Sequence, residues 1–179
     1  MALQFTNLES SFGVAVTGAD LAAPVSASDV EKLQNALRDR LVMVIKNQRL
    51  TPAQYVKGMR IFGDPMHQHL SKLLMPDQPE IAVLDSRIAN TKRDDGKIMP
   101  IGSRDWHTDH TNHAKPPKMT ALYAIKLPSA GGDTGFADMQ TAYAGLEADE
   151  QIMLAGCHQR HSLLLRRLTL GAHRQREWA

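Results

Sequence analysis

Hydrophobic and polar positions along this chain of 179 residues repeat with two different periods, and the points where the period changes mark the elements. Near the N-terminus Val14 and Val16 lie between Gly13 and Gly18. Residues two apart share one face of an extended chain, so this stretch predicts an early strand followed by a turn. From Ser28 onward Val30, Leu33, Leu37 and Leu41 fall at the spacing of one helical stripe, with Ser28 and Asp29 as the expected cap and Glu31 in the first turn. Residues 41–46 (LVMVIK) are a short apolar run rich in β-branched side chains, ended by Asn47-Gln48-Arg49, which suits a buried strand. Thr51-Pro52 opens a second expected helix, since proline at the first helical position removes only an N–H that has no partner there. That helix is expected to run to Phe62, where Gly63-Asp64-Pro65 ends it.

Further along, residues 81–84 predict another strand, and the polar residues 90–96 (NTKRDDG) read as an exposed loop between strands. Residues 119–127 (MTALYAIKL) alternate, which predicts a strand with one buried face. Gly131-Gly132-Asp133 is a turn, residues 135–139 start a short strand, and residues 141–154 return to helical spacing through Ala142, Leu146, Met153 and Leu154. No internal repeat interrupts the pattern. The expected class is mixed α/β and mainly β, with strands through the functional middle.

Composition narrows the function classes. With 42% hydrophobic and 22% charged residues the chain has the profile of a globular domain. No apolar run approaches the roughly 20 residues that span a bilayer, and the opening residues MALQFTNLESSFG have neither a basic nor an apolar leader segment. The lone Cys157 excludes an internal disulfide and permits a reducing compartment, so the expected location is the cytoplasm. Its apolar surroundings predict a buried cysteine acting as a small hydrophobe. A net charge of +2 points to neither a nucleic acid nor a membrane surface as partner.

Candidate chemistry concentrates in the histidines. Five of the eight fall in two clusters, His67/His69 and His107/His110/His113. In His107-Thr108-Asp109, positions i and i+2 of an extended chain face the same way, so an imidazole and a carboxylate can meet one ion. Together with a remote histidine they would form the facial arrangement that holds ferrous iron and leaves positions open for co-substrate and dioxygen. The motif is equally compatible with a surface hydrogen-bonded pair, and His107, His110 and His113 at intervals of three are compatible with a zinc cluster on a helix, although Thr108, Thr111 and Asn112 are weak helix formers. His67-x-His69 reads as a loop pair in water or as the lining of the same cavity. No nucleophile-elbow or phosphate-cradling glycine motif occurs.

Taken together, Trp106-His107-Thr108-Asp109, Pro116-Pro117, Leu122, Ala124, Pro128, Gly131-Gly132-Asp133-Thr134, Phe136-Ala137-Asp138-Met139, Ala142-Tyr143 and Leu146 resemble the taurine/2,4-dichlorophenoxyacetate dioxygenase family. Residues 13–21 (GVAVTGADL), LVMVIKNQ, Leu50-Thr51-Pro52 and Phe62-Gly63 are similar to that family's opening segment, and GCHQRHS at 156–162 is the last matching piece. The resemblance implies a distorted double-stranded β-helix, or jelly-roll, and an enzyme dependent on iron(II) and 2-oxoglutarate. It would hydroxylate a small organic acid of the sulfonate, sulfate ester or aryloxyalkanoate class with O2, releasing succinate and CO2. By the same resemblance His107 and Asp109 are iron ligands, and Thr134 hydrogen-bonds a carboxylate of 2-oxoglutarate. His69, Ser103 and His110 stand at substrate-facing positions; Ser103, His110 and Asn112 differ from the asparagine, apolar and aromatic residues usual in taurine-type members. The family's distal histidine ligand and the arginine that pairs with 2-oxoglutarate have no counterpart after Asp109. Residues 1–162 are therefore expected to be the N-terminal portion of such a domain and 163–179 a non-matching basic tail, left by truncation or frameshift. Half a jelly-roll would leave strand edges and apolar surface open, which makes an inactive binding or homo-oligomer-forming module the alternative expectation.

Overall fold

The computed structural model describes residues 2–8, 12–68, 73–85, 91–92, 98–99, 106–111 and 113–157. It separates into two compact units, Met1–Gly102 and Ser103–Ala179.

The first unit is built on a three-stranded sheet in the order β1 (Gln4–Asn7), β2 (Val14–Thr17), β3 (Met43–Ile45). β1 runs antiparallel to β2, with Phe5 opposite Val16, and β3 runs parallel to β2, with Val14 opposite Met43 and Val16 opposite Ile45. A parallel pair needs a crossover, here the helix α1 (Ala27–Arg40). Its cap is Ser26, whose hydroxyl accepts from the Asp29 amide at 3.2 Å, two residues before the expected Ser28. Only a side chain at the N-cap reaches the third helical amide, and Ser28 already lies within the first turn. Asp29 instead pairs with Lys32 at 2.9 Å. Leu33 is fully buried, whereas Leu41 leaves the stripe: it is the C-cap, at φ 64, and is exposed.

Val14, Ala15, Val16, Leu21, Leu33 and Val56 form the buried core among the described residues. Gln48, which follows the β3 strand, ties the turn after β2 into place: its amide donates to the Ala19 carbonyl at 2.8 Å, and its Oε1 accepts from the Leu21 amide at 3.0 Å. Gly18 in this turn has φ 82, and a Cβ there would lie 2.3 Å from the Ala2 carbonyl oxygen, so both conformation and space require glycine.

The helix α2 (Pro52–Met59) begins as expected, with Pro52 in its first turn and a reciprocal capping box between Thr51 and Gln54. It ends three residues short of Phe62, because tighter turns take over: the amides of Ile61 and Phe62 donate to the carbonyls of Gly58 and Met59. α2 packs against β5 (Gln78–Ala82), which pairs with β4 (Leu74–Met75) in a hairpin. The expected strand at 81–84 is thus displaced upstream, and Val83 and Leu84 are exposed beyond it. Within the polar stretch 90–96, Thr91–Lys92 is a strand, β6, paired with β7 (Ile98–Met99); the rest of that stretch lies outside the described residues.

The second unit departs further from its pattern. Residues 119–127 and 135–138 form no strand, and Leu122, Ile125 and Leu127 are 66%, 84% and 74% exposed. Alternation states what a segment does once partners flank it, and no described strand flanks this one. The single helix expected over 141–154 is two, α3 (Met139–Ala144) and α4 (Ala148–Ala155). Gly145 is the C-cap of the first, and Glu147 opens the second through a capping box with Glu150. Cys157 lies past the end of α4 and is exposed, correcting the expectation of burial. No helix among the described residues is long and apolar enough to cross a membrane. The described residues are mixed α/β with small sheets of three, two and two strands.

Replacing Leu33 by alanine empties the centre of this core and is expected to destabilise the first unit by about 2–5 kcal/mol in urea unfolding. Gly18→Ala should also destabilise, by displacing the chain around Ala2 and with it β1.

Candidate metal centre

His107 and Asp109 do meet, but not on a strand. Residues 106–108 have no regular structure, and residues 109–111 form a turn in which His110 takes φ 53 and its carbonyl accepts from the His113 amide at 3.0 Å. In this setting Nε2 of His107 lies 3.2 Å from Oδ1 of Asp109, with both side chains about half exposed. The other carboxylate oxygen, Oδ2, accepts from the Thr120 hydroxyl at 2.7 Å.

The 3.2 Å separation is that of a direct imidazole–carboxylate hydrogen bond, and the donor types are also ones a metal ion accepts. Imidazole and carboxylate are donors shared by ferrous iron and its neighbours in the first transition row. The described residues contain no group of three or more histidine, cysteine, aspartate or glutamate side chains placed to hold an ion. The helical His107/His110/His113 zinc arrangement is not what the chain adopts: there is no helix here, and the His110 and His113 rings contact each other edge to face, centroids 5.3 Å apart.

Thr134 is exposed in an irregular stretch that follows the turn at Gly131 and Gly132, whose φ values are 68 and 80. A packing contact relates this stretch to the metal pair. The Trp106 indole lies against Gly135, close enough that a Cβ at that glycine would sit 3.2 Å from the ring. The residues immediately before His107 and after Thr134 therefore touch. Beyond them Asp138 starts α3, its Oδ1 accepting from the Gln140 and Thr141 amides at 2.9 and 3.1 Å while Oδ2 accepts from the Thr141 hydroxyl.

Among the other expected positions, His110 is half-buried beside the metal pair, and His67 is exposed in a loop that the Gln68 amide ties to the Pro79 carbonyl of β5. His69, Ser103 and Asn112 lie outside the described residues. Sequence reasoning missed Thr120. Its signal was a hydroxyl at the head of the alternating run 119–127, which strand periodicity alone assigns no role.

With this geometry in view, the comparisons identify the class. The model of the taurine catabolism dioxygenase TauD, TfdA family matches residues 4–176, and the chain belongs to that family. It is 32% identical over 160 residues to a pentalenolactone F synthase from Streptomyces avermitilis, covering 86% of this chain and 51% of the relative. It is also 32% identical over 172 residues to an (S)-phenoxypropionate/alpha-ketoglutarate-dioxygenase from Sphingobium herbicidovorans, covering 95% and 57%. The crystal structure of a taurine dioxygenase from Burkholderia xenovorans superposes with a TM-score of 0.64 at 26% identity, over 86% of this chain and 51% of that one. The chain spans about half the length of the relatives it matches.

The Asp138 cap carries a pH signature. Hydrogen bonds from the Thr141 hydroxyl and backbone amide hold its carboxyl below the ordinary 3.8. A depressed pKa means that the cap's contribution is present above the unfolded-state value and is lost as pH falls through the lower folded value. Carboxyl-carbon NMR should show Asp138 titrating below the ordinary 3.8, with the Thr141 amide moving in the same acidic window.

Proposed function

We propose that this chain carries the metal-binding half of an iron(II)- and 2-oxoglutarate-dependent dioxygenase domain. The observation that supports the reading best is the 3.2 Å approach of His107 Nε2 to Asp109 Oδ1 on the Trp106-His107-Thr108-Asp109 segment. In this reading the completed domain is a double-stranded β-helix in which a third ligand and a cationic partner of 2-oxoglutarate, neither with a counterpart after Asp109 here, join His107 and Asp109. Iron(II), when bound, supplies the coupled oxidative decarboxylation of 2-oxoglutarate and oxygenation of a substrate C–H bond by O2, with succinate and CO2 as co-products.

The chain's own contribution is placement and charge. His107 binds through Nε2 and so must be neutral there; Asp109 brings one negative charge, leaving the ion a net positive charge with which to bind an anionic co-substrate. Thr134 donates its hydroxyl to a carboxylate of 2-oxoglutarate, a role compatible with its exposure and with the contact of neighbouring Gly135 on Trp106. His110 contacts the organic substrate in this reading, and the family resemblance gives Ser103 and His69 the same role. Substrates in keeping with the relatives' names are small organic acids: aryloxyalkanoates, as for the phenoxypropionate dioxygenase, or sulfate esters, as for the alkylsulfatase from Acinetobacter baylyi, which is 28% identical over 145 residues. Sulfonates belong to the same class, and the cytoplasm, where the exposed Cys157 stays reduced, suits such an enzyme.

Anaerobic titration of the chain with iron(II) and 2-oxoglutarate is expected to produce a weak visible charge-transfer band that His107→Ala and Asp109→Ala each abolish. A band that persists in both variants would remove the assignment.

One observation favours a second reading, in which the chain is an inactive module that assembles with itself. Between residues 106 and 157 no described side chain is buried, and Trp106, Leu122, Ile125, Leu127, Phe136 and Met139 are all exposed. Apolar surface on that scale promotes association. In sedimentation velocity this reading requires concentration-dependent dimers or larger species, whereas a monomer over the accessible range excludes it.

A further inference from the structure

We propose that Thr120 is a positioning residue for Asp109, holding one carboxylate oxygen so that the other is offered to the metal as a single-oxygen ligand. The inference rests on the metal-binding reading above and deepens it. A free aspartate turns easily about its terminal torsion, which has only broad two-fold preferences, and it can present one oxygen or both to an ion. Here the two oxygens differ. Oδ1 is beside His107 Nε2 at 3.2 Å, and Oδ2 takes the Thr120 hydroxyl at 2.7 Å.

The direction of that bond is unambiguous, because an ionised carboxylate only accepts and the hydroxyl must donate. The length is near that of charge-assisted O–H···O⁻ bonds. With Oδ2 engaged, two-oxygen coordination would have to share that oxygen with the hydroxyl, so the one-oxygen mode is favoured and the carboxylate plane is set before an ion arrives. Chain geometry supports the arrangement. Thr120 is eleven residues beyond Asp109, and the return passes through Pro116-Pro117, whose rings fix two consecutive φ angles near −65° and so limit the routes by which the hydroxyl can reach back. Both partners are exposed, so water competes for each. The bond's effect is consequently on orientation rather than on folding stability.

Cobalt(II) titration of the full chain, followed by calorimetry and visible absorption, tests this with Thr120→Val, which keeps the shape and removes the donor, and Thr120→Ser, which keeps the donor. Thr120→Val should weaken cobalt binding about tenfold, the lower end of the usual effect of losing a hydrogen bond to a ligand. It should also change the cobalt absorption envelope as the carboxylate changes mode, while Thr120→Ser restores affinity and spectrum. Unchanged affinity and spectrum in Thr120→Val overturn the proposal, as does a Thr120→Ser variant as impaired as the valine one. Asp109→Ala separates the two levels of inference. If cobalt binds wild type and Asp109→Ala alike, the metal reading fails and this proposal with it; if Asp109→Ala loses the ion and Thr120→Val does not, only the role of Thr120 is lost.

Discussion

Parallel pairing between β2 and β3 is the constraint on which the first unit depends. Two neighbouring strands that run the same way cannot be joined by a tight turn, so the chain between them must travel back along the sheet, and α1 is that return path. Leu33 then falls over the strand and completes the burial of Val14 and Val16. Gln48 occupies the position where the chain leaves β3, and its amide group satisfies backbone atoms of the turn after β2 that no strand could reach. The sheet, the helix and the turn are therefore consequences of one pairing, and the antiparallel β1 is added to its free edge.

The His107–Asp109 pair is organised on another principle. Neither residue sits on a helix or strand, and both side chains are about half exposed. Around them are a turn closed by the His110 carbonyl and a hydroxyl eleven residues beyond Asp109. Sites made from such local contacts are pre-oriented rather than rigid.

Much of the first unit was legible from the residues, because its elements carry their own punctuation. Thr51-Pro52 marks a helix start whatever surrounds it, and the β-branched run at 43–45 pairs wherever a strand is adjacent. The failures came where the outcome depends on a partner. Residues 119–127 have the alternation of a strand, yet a strand is a relation between two segments, and the described chain offers it no second one. Helical spacing through 141–154 did not reveal the break, since Gly145 to Glu147 keeps the apolar positions nearly in phase across the gap. His107 and Asp109 do approach one another, but not for the local reason expected: i and i+2 on a strand was the expectation, and a turn supplies the approach. Thr120 was invisible because a hydrogen bond over eleven residues leaves no periodic trace.

Every fully or nearly buried apolar side chain named here belongs to the first unit, and the His107–Asp109 pair belongs to the second. The buried core and the proposed site thus lie in different stretches of polypeptide. A heat or denaturant transition of this chain will be dominated by the sheet around Leu33 and will be nearly blind to the condition of His107 and Asp109. Substitutions in the second unit can pass an ordinary stability screen and still remove the proposed site, so the state of that unit has to be judged from its own reporters, of which the largely exposed indole of Trp106 is the nearest at hand.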